Sequence, residues 1–190
     1  MSALASFAEY KGVTTDDGVC AVGDLHDPAD VVADFFYPHS PGRVWGVLVD
    51  PDVMGDWFVE QVGFHPVAGT RYRLADLPVP IANYSGNIAC EVLVATPNEM
   101  LAISWWDTKL PAPVAWRTTW TLGAVPNGTR VVLSRPAFSS DDPAVRRMAA
   151  LSDRFWPTAM TKLGRLIDRA AAISTDDDTI EPSSGSSLPG

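Results

Sequence analysis

The chain has 190 residues, 46% of them hydrophobic, with seven tryptophans and a formal net charge of −9. That composition fits one folded domain with a sizeable core and excludes a wholly disordered chain. The surplus of acid disfavours nucleic acid and anionic membrane as general partners, because both are held by basic surface.

In chain order, residues 1–27 read as an N-terminal extension, in which Asp16-Asp17-Gly18 lies between two short apolar runs and signals a hairpin. The start lacks a basic segment followed by a sustained apolar run, and no stretch is long enough to cross a bilayer. The expectation is a soluble, cytoplasmic protein without membrane insertion. Cys20 and Cys90 show neither metal nor redox spacing and read as reduced thiols. Val31 to Tyr37 is an apolar strand. Ser40-Pro41 then signals a helix start, a capping hydroxyl followed by a proline whose missing N–H is no loss there. A short helix (Arg43 to Val49) stops at Asp50-Pro51, and a second helical turn closes on Trp57-Phe58.

Beyond Phe58 the pattern turns β-like. Gln61 to Val67 is a short apolar segment, and Gly69-Thr70 leads into Arg71 to Leu74. Pro78, Pro80 and Asn83 mark a loop. From Ser85 to Ala95, alternation places Ile88, Cys90, Val92 and Val94 on one face and Glu91 on the solvent face. Further strands follow at Met100–Asp107, at Ala115–Leu122 (Trp116, Thr118, Trp120 and Leu122 on one face) and at Thr129–Arg135. They form an antiparallel meander. Asp142-Pro143 opens a final helical region whose apolar face recurs at Met148, Ser152, Phe155, Ala159, Leu163, Leu166 and Ala170. Pro157 interrupts it and predicts a kink or two helical pieces. From Ser174 the composition collapses to Ser, Asp, Gly and Pro, which reads as a disordered tail, taken as 173–190.

The run from strand through Ser-Pro, Arg43-Val44-Trp45, Asp50-Pro51 and Trp57-Phe58 resembles the opening of the START-like (SRPBCC) superfamily. The branch most similar is the C-terminal domain of the heat-shock-protein ATPase activators. Gly86 to Trp105 and Gly128-Thr129-Arg130-Val131 resemble that branch's later strands. The resemblance implies an α+β helix-grip fold over residues 28–172: a curved antiparallel sheet wrapped around a long C-terminal helix, with two short helices after the first strand. It also implies a space between sheet and helix that serves as a ligand cavity. The chain departs from the branch at Ala68, where a glycine is usual, in the proline-rich loop Asp76 to Asn83, and at Phe155-Trp156-Pro157.

The large side chains offered to such a cavity are Trp57, Tyr72, Tyr84, one of the adjacent pair Trp105 and Trp106, Trp116, Trp120, Met148, Phe155 and Met160. Each is a ligand-binding candidate, and ordinary core packing is the competing explanation for every one. Polar candidates for catalysis are His65, Tyr84 and Asp107. The three histidines share no ligand spacing, and no metal, nucleotide or nucleophile motif is present, so neither cofactor nor metal is expected. Arg71, Arg73 and Arg117 alternate with the apolar set and read as a solvated face.

The leading expectation is binding of a small hydrophobic or aromatic ligand, lipid- or polyketide-like, between sheet and last helix. The alternatives are a cyclase, dehydratase or hydrolase using the same cavity, and a protein-binding module with a filled core, as the chaperone-activator resemblance implies.

Overall fold

The computed structural model describes residues 29–75, 85–109, 115–136 and 143–177. The expected N-terminal hairpin, Tyr84 and the chain beyond Asp177 lie outside them. The elements are β1 (Ala29–Tyr37), α1 (Pro41–Leu48), α2 (Pro51–Trp57), β2 (Gln61–Val62), β3 (Arg71–Leu74), β4 (Ile88–Thr96), β5 (Met100–Asp107), β6 (Trp116–Val125), β7 (Gly128–Pro136) and α3 (Pro143–Asp177). The strands form one antiparallel sheet in the order β1-β7-β6-β5-β4-β3-β2. From β2 to β7 it is a meander. The one long connection, α1–α2, carries the chain from the β1 edge to the β2 edge. This is the expected helix-grip arrangement.

Local chemistry explains where the short helices begin. The Ser40 hydroxyl accepts a hydrogen bond from the Arg43 N–H at 3.4 Å, ahead of Pro41 in the first turn. Asp50 repeats the device, accepting from Asp52 N at 3.0 Å ahead of Pro51. Both helices bury one face, Val44, Trp45 and Leu48 in α1 and Met54 and Trp57 in α2. The β4–β5 and β6–β7 turns place Asn98 and Asn127 in the left-handed region, each at φ 66°, where asparagine is tolerated.

Several expectations change. The segment Gln61–Val67 pairs only over Gln61–Val62. In β4 a register shift between Val92 and Val94 inserts an extra residue, so Val94 pairs with Ala102 and turns to the face opposite Val92. The alternation read from the sequence therefore stops at Val92. Helix α3 runs unbroken through Pro157, with no division into two pieces, and extends to Asp177. Pro157 cannot donate to the carbonyl one turn back. The Thr161 hydroxyl donates to the Pro157 carbonyl at 2.9 Å in the next turn. Among the described residues no helix is long and apolar enough to cross a membrane.

The second half of α3 is fixed to β1 by Tyr37. Its hydroxyl donates to the Met160 carbonyl at 2.7 Å, and burial raises its pKa well above that of an ordinary phenol. The ring lies against Gly164, where a Cβ would stand 2.9 Å from Tyr37 Cε1. Met160, Leu163 and Ile167 flank this contact and are fully buried.

Gly164→Ala tests that contact. Alanine favours the helix by about 1 kcal/mol, but the anchored ring leaves its methyl no room, and overpacking costs about 1–3 kcal/mol. A thermal melt should show Tm lowered by a few degrees; a higher Tm would show that the ring yields.

Candidate functional site

An apolar cavity of about 230 Å³ opens between the sheet and the first half of α3. Leu74 of β3, Ile88 of β4 and Trp105 of β5 form its sheet wall. Met148, Leu151, Ser152, Phe155 and Trp156 form its helix wall, and Phe58 at the end of α2 closes one side. All five helix residues precede Pro157. Ser152 is the one polar side chain in the lining, and its hydroxyl accepts from the Trp156 indole N–H at 3.0 Å. Phe155, 38% exposed, stands at the mouth.

Each lining aromatic ring at the inner end is braced by a buried tryptophan. Trp105 stacks on Trp116 at 5.1 Å and 16°. Trp156 meets Trp120 edge-on at 5.3 Å, and Phe58 packs on Trp57 at 5.7 Å. Phe58 also contacts Trp156 and Phe155 at 5.1 and 5.8 Å, linking the braced pairs into one cluster. Such offset and edge-on geometries are the favourable ones for rings.

Of the ligand-binding candidates, Trp105, Met148 and Phe155 line the cavity. Trp57, Trp116, Trp120 and Met160 lie in the core, the three tryptophans one layer behind the wall. Tyr72 is buried against Phe64, edge-on at 5.1 Å, with the Cys90 thiol as its polar neighbour across the β3–β4 pairing. Burial raises the Tyr72 pKa strongly and pushes Cys90 up to about 12. Both groups are therefore neutral at physiological pH. Trp106 is on the opposite sheet face from Trp105. The sequence reading missed Phe58, Leu74, Ile88, Leu151, Ser152 and Trp156 as lining. The four-residue series Met148, Ser152, Trp156, Met160 was the available signal for Trp156.

Of the polar candidates, the two described ones, His65 and Asp107, do not line the cavity. His65 is exposed on the β2–β3 connection. Asp107 is buried at the end of β5, where its carboxylate accepts from Ser85 N (2.5 Å), Ser85 Oγ (2.7 Å) and Lys109 N (2.9 Å). Burial alone would raise its pKa, but these donors and the nearby Lys109 charge outweigh it and hold the carboxyl below its ordinary value. Asp107 thus ties the residues before β4 to the end of β5. Among the described residues no cluster of His, Cys, Asp or Glu could hold a metal ion. Two further expectations are corrected. Glu91 is buried, with Arg71 Nε 3.4 Å from its carboxylate, and Arg117 is only 5% exposed rather than solvated.

A family model described as Activator of Hsp90 ATPase homolog 1-like protein matches residues 38–168. The chain belongs to that family. Among solved structures, protein MLL2253 from Mesorhizobium loti is 27% identical with a TM-score of 0.61, the match covering 75% of this chain and 98% of that one. CalU16 from Micromonospora echinospora is 24% identical, with a TM-score of 0.54 over 75% and 79% of the two chains. The Aha1 dimer from Colwellia psychrerythraea is 15% identical, with a TM-score of 0.56 over 71% and 92%. The last two likenesses speak for the fold alone. A search of curated proteins finds no significant match. The START-like reading, in the branch of the chaperone activators, is therefore established.

Asp107→Asn should destabilise the protein by about 1–3 kcal/mol at neutral pH, the range for disturbing a buried, hydrogen-bonded charge. The unfolded carboxyl titrates near 3.8 and the folded one lower, so the wild type's advantage is complete above 3.8. It is lost as pH falls through the lower, folded value. Urea unfolding of both proteins between neutral pH and the acid range checks this; an advantage that grows on acidification contradicts it.

Proposed function

We propose that this protein binds a small, uncharged, largely aromatic molecule in the cavity between β3–β5 and the first half of α3. The observation that carries this reading is the chemistry of the wall: eight apolar side chains and one serine hydroxyl surround about 230 Å³ of space. A cavity of ~150 Å³ lined by aliphatic and aromatic groups holds benzene. On that scale this one accommodates about ten non-hydrogen atoms, one or two fused rings, with further atoms emerging past Phe155. A charged group would lose its hydration there without a partner, which favours neutral ligands. Binding rather than catalysis is the reading supported here, since His65 and Asp107 stand outside the lining and Asp107 is committed to Ser85 and Lys109. The proposal takes residues 28–172 as the binding unit and needs no cofactor. A cytoplasmic setting accords with Cys90, a buried free thiol.

Titration with uncharged 2-naphthol, followed by tryptophan fluorescence, should give saturable quenching, because Trp105 and Trp156 line the space. The anion 2-naphthoate, with the same ring system and two more non-hydrogen atoms, should bind tenfold more weakly or worse, on the order of the cost of burying its charge. Leu151→Trp, which fills the cavity, should abolish the response while Tm stays within a few degrees. Equal binding of naphthol and naphthoate, or full binding by Leu151→Trp, contradicts this assignment. No response to any apolar compound would move the reading to a protein partner.

A further inference from the structure

The cavity wall is apolar, yet three of its residues carry a hydrogen able to donate. Trp105 and Trp156 have indole N–H groups, and Ser152 has a hydroxyl. Two of the three are spent. Trp105 Nε1 donates to Thr118 Oγ1 at 3.4 Å, and Trp156 Nε1 donates to Ser152 Oγ at 3.0 Å. The second bond also orients Ser152. It turns one lone pair of the oxygen toward an indole that is 3% exposed and held edge-on by Trp120.

A serine or threonine inside a helix often turns its proton onto the carbonyl four residues back, which leaves nothing for a ligand. Further along α3, Thr161 does this with the Pro157 carbonyl. Ser152 does not. Its counterpart would be the Met148 carbonyl, but among the described residues the Ser152 hydroxyl has no acceptor, and the bond from Trp156 is the one it makes. One polar hydrogen on an otherwise apolar wall is therefore unspent. A hydrocarbon that displaces water from this wall leaves that hydrogen unpaired, at the cost of a lost hydrogen bond. A ligand that offers only a donor meets an oxygen already engaged and leaves the same hydrogen unpaired.

We propose that Ser152 is the specificity-determining residue of the cavity. It selects a neutral aromatic molecule bearing a carbonyl oxygen, such as an aryl ketone or lactone, and donates its hydroxyl proton to that oxygen while the rings fill the apolar space. This rests on the reading of the cavity as a ligand site and narrows the ligand class. A carboxylate is a stronger acceptor, but it brings a charge into a lining that holds no cation. A phenol or aryl ether oxygen is a weaker acceptor, because its lone pair is delocalised into the ring. Trp156 acts as the positioning residue, since its N–H holds the Ser152 oxygen.

The test compares 1-indanone with indane, which has the same ring frame and lacks the oxygen, each by competition against 2-naphthol. Ser152→Cys keeps the size of the side chain and an acceptor for Trp156, but a thiol is a poor donor. It should weaken 1-indanone about three- to tenfold and leave indane within about twofold, as the loss of one hydrogen bond requires. Ser152→Thr, which retains the hydroxyl, should keep the ratio of the two affinities. An independent readout is the infrared carbonyl band of 1-indanone fully bound to the wild type. It should lie below its position in hexane, and return toward that position in Ser152→Cys. A hexane-like band in the wild type, equal weakening of both compounds by Ser152→Cys, or no weakening of either overturns the Ser152 assignment alone. If neither compound binds the wild type, the cavity reading falls and this inference with it.

Discussion

The contact between Tyr37 and the second half of α3 is the constraint on which the rest of this molecule depends. A hydroxyl hydrogen bond to the Met160 carbonyl, and a glycine at 164 that lets the ring approach the helix backbone, fix α3 against β1. His39 Nε2, 2.7 Å from Asp168 Oδ1, adds a second tie near the same end. Fixing one half of a helix of about 50 Å also fixes where its other half must run. That other half, before Pro157, stands over β3–β5 and leaves the cavity beneath it. Pro157 lies where the packed half meets the cavity-lining half, so the missing backbone hydrogen bond falls where the helix changes from filling the core to roofing a space.

A space of this size in a protein interior needs a reason not to collapse, because interiors pack to near-crystalline density. The braced aromatic pairs supply it. Trp105, Trp156 and Phe58 each rest on a buried tryptophan, and swinging a ring inward to fill the gap would give up that contact. The concave face is therefore built in two layers, an outer wall that meets the cavity and an inner one that holds the wall. The convex face is organised differently, around a transverse row of polar groups that includes a buried arginine.

How much of this was legible in the sequence follows the range of the interactions. Helix starts at Ser40 and Asp50 depend on a few adjacent residues and were readable, as were the meander strands and the inward face of Trp116, Thr118, Trp120 and Leu122. The bulge at Val92–Val94 was not, since only the partner strand's register reveals it. Membership of the wall was half legible. Trp105, Met148 and Phe155 line it, but whether an inward ring touches the cavity or braces its neighbour depends on contacts between distant segments, such as Trp57 with Trp120. Arg117 was misread for a related reason: alternation names its face, and what lies over that face is a long-range matter.

The central claim is that the cavity is a real, apolar and empty space in the folded protein. A crystal pressurised with xenon tests it most directly, since dry apolar cavities take up that gas. The account predicts a xenon peak bounded by Phe58, Ile88, Trp105, Met148 and Trp156. Xenon found elsewhere, or side chains of Phe155 and Trp156 turned inward so that no space remains, would contradict it.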